Sequence, residues 1–470
     1  MTSLQARRQF LRAATGLAAM PGMPSLGLPL AGLAALAAQT SQAADVSGAY
    51  KAIVCLFMHG GCDTHNWVVP TDATGYAQYA AARGELAWPL AKLQAITTTG
   101  QAAGRSFGMP EELAPLRKWY EAGQAAVVAN VGPLVRPVSK AEVLAGVGLP
   151  SKLYSHNDQA STWQSLLPEG ASSGWGGRMG DILMSANAYP VFTSVSLNGN
   201  AVFLSGSSVT QYQVGADGPV QIAGLSGNDV YSAVAAPAAL QRQLATGGSH
   251  PLQAEYMRVL QRGISTSGVL QAALRGVAVP AIPATVLPSG NGSTTLDKTS
   301  LAKQLRMVAQ LVGAGPGLGM RRQVFMVSLS GFDTHANQMR DQPGHMAQVA
   351  HAVDYFMTSL ASMGLLNSVT LFTASDFGRT LLSNGDGSDH GWGSHHLVVG
   401  GAVQGRNIHG RFPITAVGTS DDVGSGRLLP TSSVSQMAAP LGRWLGLSAT
   451  EVASVLPGLG NFDAQALRFI

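Results

Sequence analysis

The chain has 470 residues, with 29 Lys+Arg against 25 Asp+Glu, 57 glycines and only 11% charged residues, well under the usual ~25%. Arg7, Arg8 and Arg12 are the only charges before Asp45, so the rest carries 26 basic against 25 acidic residues. That balance excludes an electrostatic case for nucleic acid or an anionic membrane surface, and the length suits one large α/β domain with insertions, or two domains.

The first predicted element is a leader. Ala6-Arg7-Arg8-Gln9-Phe10-Leu11-Arg12 sets paired arginines before an apolar pair and a further basic residue. An acid-free apolar stretch runs from Ala13 to Ala38, and Ser41-Gln42-Ala43 offers a peptidase site. These are the parts of a twin-arginine signal peptide. They predict a folded cargo handed to the twin-arginine translocase and delivered to the periplasm or outside. A membrane anchor is the alternative, but Gly16, Pro21, Gly22, Pro24, Gly27 and Pro29 interrupt the stretch, and a span needs about 20 cleaner apolar residues. Residues 1–43 are therefore expected as signal and 44–470 as the mature domain, with no stable membrane span after cleavage.

Ala52 to Met58 is a short, wholly apolar run ended by His59-Gly60-Gly61, which predicts a strand buried on both faces. Further strands are expected at Gln124–Asn130, Val324–Leu329, Val369–Thr373 and Leu397–Val399, with helices over 110–122, 300–312, 345–363 and 433–445. Strands alternating with helices predict a mainly parallel sheet covered on both faces. The region of about 190–295 differs: Phe192 to Val214 reads as short strands, 251–274 as a helix, and 280–295 as a Pro/Gly/Ser loop. It is expected as an insertion capping the sheet. Cys55 and Cys62 are expected as free thiols rather than a bridge.

Ligands of open parallel sheets bind at the strands' C-terminal ends, and there the chemistry-bearing residues gather. The first strand leads into His59-Gly60-Gly61-Cys62-Asp63-Thr64-His65-Asn66. The third leads into Ser330-Gly331-Phe332-Asp333-Thr334-His335. The fourth leads into Ala374-Ser375-Asp376-Phe377-Gly378-Arg379-Thr380 and then Asp389-His390-Gly391-Trp392-Gly393-Ser394-His395-His396. A lone Asp in a glycine turn is more often an Asx-turn residue. Repetition of Asp beside His at three strand ends points instead to a divalent metal of the zinc, manganese or iron kind. His395 and His396 cannot both face it if they begin a strand. Ser155, in Ser155-His156-Asn157-Asp158-Gln159, stands where a helix begins; it is either an N-cap or a nucleophile at a helix N-terminus. Arg178, in Gly174-Trp175-Gly176-Gly177-Arg178, is either a phosphate or sulfate clamp or a structural ion-pair partner.

These motifs, with Gly60 to Pro70 and Gly331-Phe332-Asp333-Thr334-His335, resemble in order and over nearly the whole mature chain the exported "domain of unknown function 1501" family, which is similar to the alkaline phosphatase and sulfatase superfamily. The resemblance implies a three-layer α/β/α sandwich with one or two divalent ions, zinc, manganese or calcium, at the strand ends. It implies Asp63 as the first-strand metal carboxylate, and Asp333 and His335 as a second ligand set whose spacing is shorter than the superfamily's. Asp376 stands as the carboxylate of an Asp-His pair, with Phe377 where that histidine would be. His390, His395 or His396 is the late ligand, Ser155 the nucleophile and Thr64 its fallback. Cys62 lacks the neighbours needed for conversion to formylglycine, which disfavours ordinary arylsulfatase chemistry.

The expected function is a metal-dependent hydrolase of phosphate or sulfate esters, on a small-molecule or glycan substrate. Ser155 or water attacks, while cations and Arg178 meet the developing charge. The alternative is a non-catalytic periplasmic binding or envelope-assembly protein on the same fold, which Phe377 favours. A role on exported polysaccharide through Trp67, Trp163, Trp175 and Trp392 weighs less than core packing of these rings.

Overall fold

Along the first strand Val54, Leu56 and Met58 alternate with Ile53, Cys55 and Phe57, and all six are buried. Only a strand covered on both faces buries both sets. The computed structural model describes residues 48–219 and 250–470, with residues 44, 239 and 242; the twin-arginine leader expected within 1–43 lies outside the described residues. The elements used below are β1 (Lys51–His59), α1 (Ala73–Arg83), α2 (Ala114–Glu121), β2 (Ala125–Gly132), α3 (His156–Ser165) and α4 (Trp175–Leu183). They continue with β3 (Ser194–Ser196), β4 (Tyr212–Gly215), α5 (Pro251–Arg275), α6 (Ser300–Ala314), β5 (Arg322–Ser330) and α7 (Gln338–Ser362). The last are β6 (Val369–Ser375), β7 (Arg379–Ser383), β8 (Ser388–His390), β9 (Ser394–Gly400) and α8 (Val434–Leu445).

Among the described residues the main sheet runs β2–β9–β6–β1–β5–β3–β4, with short strands added at both edges. β1 lies parallel to β5 and to β6, and β5 parallel to β3. β9 is antiparallel to both β6 and β2, so the fifth expected strand joins an otherwise mainly parallel sheet in reverse. Val54, Leu56 and Met58 share one core with residues of α2, α6 and α7. Ile53, Cys55 and Phe57 share another with residues of α3, α4 and α8. The molecule is thus an α/β/α sandwich. Each large apolar side chain it buries contributes about 1.5–3 kcal/mol.

The segment expected as a cap is partly sheet: β3 and β4 extend the edge beyond β5, and α5 follows. α7 starts seven residues before the predicted His345, running through Pro343. Gln338 and Gln342, ahead of that proline, are both bonded to Asp63, which anchors the early turns. Cys55 and Cys62 are buried free thiols. No helix among the described residues is long and apolar enough to cross a membrane.

Candidate functional site

Because β1, β5 and β6 run parallel and adjacent, the loops after them emerge at one rim. Glycine makes their approach possible. Gly60 and Gly61 have φ of +115° and +79°; a Cβ on Gly60 would lie 2.4 Å from the Asp333 nitrogen, and one on Gly61 2.2 Å from the Phe377 ring. Between these loops stands Asp333, with its side chain 46% exposed. Burial pushes its pKa up, but the 2.8 Å bond from Arg379 Nη1 outweighs this and holds it below the usual carboxylate range.

Three imidazoles turn toward Asp333. His156 Nε2 lies 3.5 Å from Asp333 Oδ2, and His335 and His390 Nε2 lie 3.1 and 3.5 Å from Oδ1. Each ring is held from behind through Nδ1. His156 bonds Asp376 Oδ2 at 2.7 Å, His335 bonds Asp389 Oδ1 at 3.2 Å, and His390 bonds the Tyr154 carbonyl at 2.8 Å. A carboxylate or carbonyl oxygen only accepts, so each Nδ1 carries the proton and each Nε2 is left with its lone pair. The Nε2 atoms of His335 and His390 are 2.8 Å apart. Two lone pairs at that distance, beside a carboxylate oxygen, require a cation between them: a proton or a metal ion. Oxygen partners on Nδ1 with Nε2 converging is how metal-ligating histidines are oriented. Donor atoms of His156, Asp333 and His390 all lie within 4.8 Å of one another, and His335 joins them by the contacts above. Burial lowers the His390 pKa, the main cause of that shift, which keeps its lone pair available.

Phe377, where a metal histidine was expected to be missing, forms the wall of this cluster. Its ring centroid lies 4.8 Å from that of His156 and 4.5 Å from that of His390. Asp376 takes part through its bond to His156 and another from the Gly60 N–H at 3.0 Å. Its Oδ1 is buried without a partner among the described residues.

Other expected residues stand elsewhere. Asp63 does not face the cluster's open side: it is buried, ion-paired to Arg83 at the end of α1 and bonded by Gln338. It acts from behind, since Gln338 accepts from Ser388 Oγ at 2.6 Å and the Ser388 carbonyl accepts from Arg379, which holds Asp333. Thr64 is buried, its hydroxyl accepting the His395 N–H at 2.7 Å, so as a fallback nucleophile it has no access to substrate. His395 lies inside the molecule, stacked on Phe412 and accepting the Asn130 N–H at 3.1 Å; burial drives its pKa far down. His396 points the other way, to Thr373 and Ser394. Of the three candidates for the late histidine, only His390 joins the Asp333 cluster. Arg178 donates to the carbonyls of Val455, Ser173 and Ser165 and clamps the chain, not a ligand.

Ser155 has the N-cap position of α3, but it is unlike the caps of this chain at Ser139 and Ser448. There the hydroxyl also accepts a helix N–H. Ser155 accepts none; its hydroxyl donates to Asp158 Oδ2 at 2.7 Å. Its lone pairs stay uncommitted, one residue from His156. Sequence reasoning missed His156, Arg379 and Asp389 as site residues. Each adjoins a residue that was singled out (Ser155, Asp376's loop and His390), which is the signal that was there to use.

The chain matches the family model described as Protein of unknown function (DUF1501) over residues 50–456. No curated protein matches it. Among solved structures it is similar to a Bacteroides thetaiotaomicron protein from a locus for glycosaminoglycan metabolism (BT33494S-sulf), at 11% identity, over 87% of this chain and 75% of that one, TM-score 0.36. It is similar to the PsFucS1 sulfatase from Pseudoalteromonas sp. at 10% identity, over 94% and 75%, TM-score 0.33. The lipoteichoic acid synthase LtaP from Listeria monocytogenes aligns at 7% identity, over 89% and 78%, TM-score 0.33.

Proposed function

This chain belongs to the DUF1501 family, and from the geometry of its rim we propose that it is an exported, metal-dependent hydrolase of phosphate or sulfate esters. The carrying observation is the convergence of three oriented Nε2 atoms on Asp333. That donor set suits zinc or manganese better than calcium, which prefers six to eight oxygens. One ion is expected, held by His156, His335, His390 and Asp333, because Arg83 neutralises Asp63 and Phe377 fills a second position. A divalent cation there supplies Lewis acidity and neutralises developing negative charge.

The protein's own groups do the rest. Asp376 and Asp389 hold His156 and His335 in the right tautomer, and Arg379 fixes Asp333. Ser155 Oγ attacks phosphorus or sulfur, its proton passing to Asp158 Oδ2 and on to the departing alcohol. Water then hydrolyses the ester formed on Ser155.

The test is metal analysis of the purified mature protein, with kinetics on aryl phosphates and aryl sulfates. Bound zinc or manganese with turnover that is lost in Ser155→Ala and Asp333→Ala is expected. Metal without turnover favours the non-catalytic binding protein, a reading supported by the absence of an uncommitted arginine clamp at Arg178. Protein lacking metal after growth with zinc and manganese overturns both. Residues 1–43 are proposed as the twin-arginine leader; Arg7→Lys with Arg8→Lys should leave the protein in the cytoplasm, read by cell fractionation.

A further inference from the structure

Beside the metal cluster β1 ends on a residue out of character with its face. Ile53, Cys55 and Phe57 are apolar core, and the next side chain on that face is His59. It opens onto a cavity of about 160 Å³ lined by Gln164, Asn198, Asn200, Ser328 and, on an apolar side, Val202 and Met326. At a water's share of about 30 Å³, this is room for roughly five waters or one small ring. The cavity adjoins the cluster. The Gly60 N–H, next to His59, bonds the same Asp376 oxygen that holds His156, and Gln164 lies on α3, which His156 begins.

The lining has a particular chemistry. No Lys, Arg, Asp or Glu is in it. Asn198 donates to Ser328 Oγ, Gln164 Oε1 accepts the Phe203 N–H and Asn200 Oδ1 accepts from Gln213. Gln164 is partly buried and Asn198 and Asn200 stand exposed at the cavity mouth, and those bonds leave Gln164 Nε2, Asn198 Oδ1 and Asn200 Nδ2 open to water or a ligand. The His59 ring nitrogens are open in the same way. Burial lowers the His59 pKa against the opposing pull of Asp376, so the ring is neutral and offers one donor and one acceptor. An oriented mixture of neutral donors and acceptors beside an apolar wall matches hydroxyl groups on a carbon ring, since each hydroxyl donates and accepts. An anion finds no cation here, and an aryl group offers the amides no hydrogen bond in exchange for the water it displaces.

We propose that this cavity receives the alcohol half of the ester and that this half is an uncharged polyhydroxylated ring, a sugar. The inference rests on the hydrolase reading for the word "ester" but not for the binding of the ring. The experiment uses the metal-loaded full mature chain, with glucose and galactose monophosphates and monosulfates set against aryl esters, and the free monosaccharides titrated by calorimetry. Two variants narrow the cavity: Asn198→Leu, which also removes polar groups, and Ala201→Leu, which keeps them; thermal melting establishes which is folded. In a folded variant the ratio of kcat/KM for sugar ester to that for aryl ester should fall about tenfold or more, through KM. An unchanged ratio, or turnover of aryl esters alone by the wild type, overturns the proposal while leaving the hydrolase intact. If no ester turns over, the hydrolase reading fails by itself. Monosaccharide binding that both folded variants weaken then supports the cavity's role, and its absence in the wild type overturns it.

Discussion

Asp63 and Asp333 begin as equivalent carboxylates in the sequence and end in opposite roles, which makes them the sharpest pair to test. Asp63 faces Arg83, whose side chain is 0% exposed and also donates to the carbonyls of Thr380 and Leu381. Asp63→Ala strands that guanidinium, and loss of one partner of a buried pair costs about 3–5 kcal/mol. Asp333→Ala removes a half-exposed carboxylate but takes the carboxylate partner from the buried Arg379, which keeps its bonds to the Gly60 and Ser388 carbonyls; it should cost about 1–3 kcal/mol and should abolish metal retention. Urea unfolding together with metal content measures both. A mild Asp63→Ala, or an Asp333→Ala protein that keeps stoichiometric metal, refutes the division. His156→Ala should behave as Asp333→Ala does, although nothing in composition or spacing marked His156 apart from its neighbour Ser155. Its role depends on the Asp376 carboxylate arriving from a strand 220 positions away.

The elements were legible where a short, mainly apolar run led into a polar, glycine-containing loop: β1, β5 and β6 lie within a few residues of their expected bounds, since a doubly covered strand has no solvent face to confuse the pattern. Their joint rim was legible too, because parallel strands put their C-terminal ends together. What the pattern does not hold is partner choice across the chain. Arg83 claims Asp63, Asn130 claims His395, and alternation says only that His395 and His396 face opposite sides, while the β2–β9 pairing fixes which residue takes which side. The β1–α1 loop also depends on Gly61 for more than its turn. A Cβ there meets Phe377 at 2.2 Å with φ at +79°. Backbone strain and overpacking of about 1–3 kcal/mol each predict a Gly61→Ala loss of about 2–6 kcal/mol in chemical denaturation. Because the displaced Phe377 ring packs on His156 and His390, kcat should fall with it. Full stability and full turnover in this variant would show that Phe377 is not the wall of the site.

At the scale of the whole molecule, the sandwich keeps His65, His395 and His396 inside and neutral. Burial holds His65 at about 4 and His396 at about 3, against about 6.5 in an unfolded chain. The folded values are the lower ones, so the unfolded chain binds protons that the folded chain refuses. Stability from this source is complete above pH 6.5, and it drains away as the pH falls toward the folded values. Each such histidine then removes about 1 kcal/mol per pH unit below about 6.5. His396→Gln should therefore be less stable than the wild type at pH 7.5, through its lost bonds to Thr373 and Ser394, but the gap should narrow by about 1 kcal/mol between pH 6.5 and 5.5. The proposed metal would act on the same equilibrium from the rim: an ion at 100 times its Kd stabilises by about 2.7 kcal/mol. Chelation should lower the Tm of the wild type and leave that of Asp333→Ala unmoved. Comparing His396→Gln with the wild type both loaded and chelated separates the two sources, since the interior imidazoles set the acid slope and the rim sets the offset. A gap between the proteins that stays constant with pH would mean that His396 is already charged inside the fold, and the account of the buried histidines would fail.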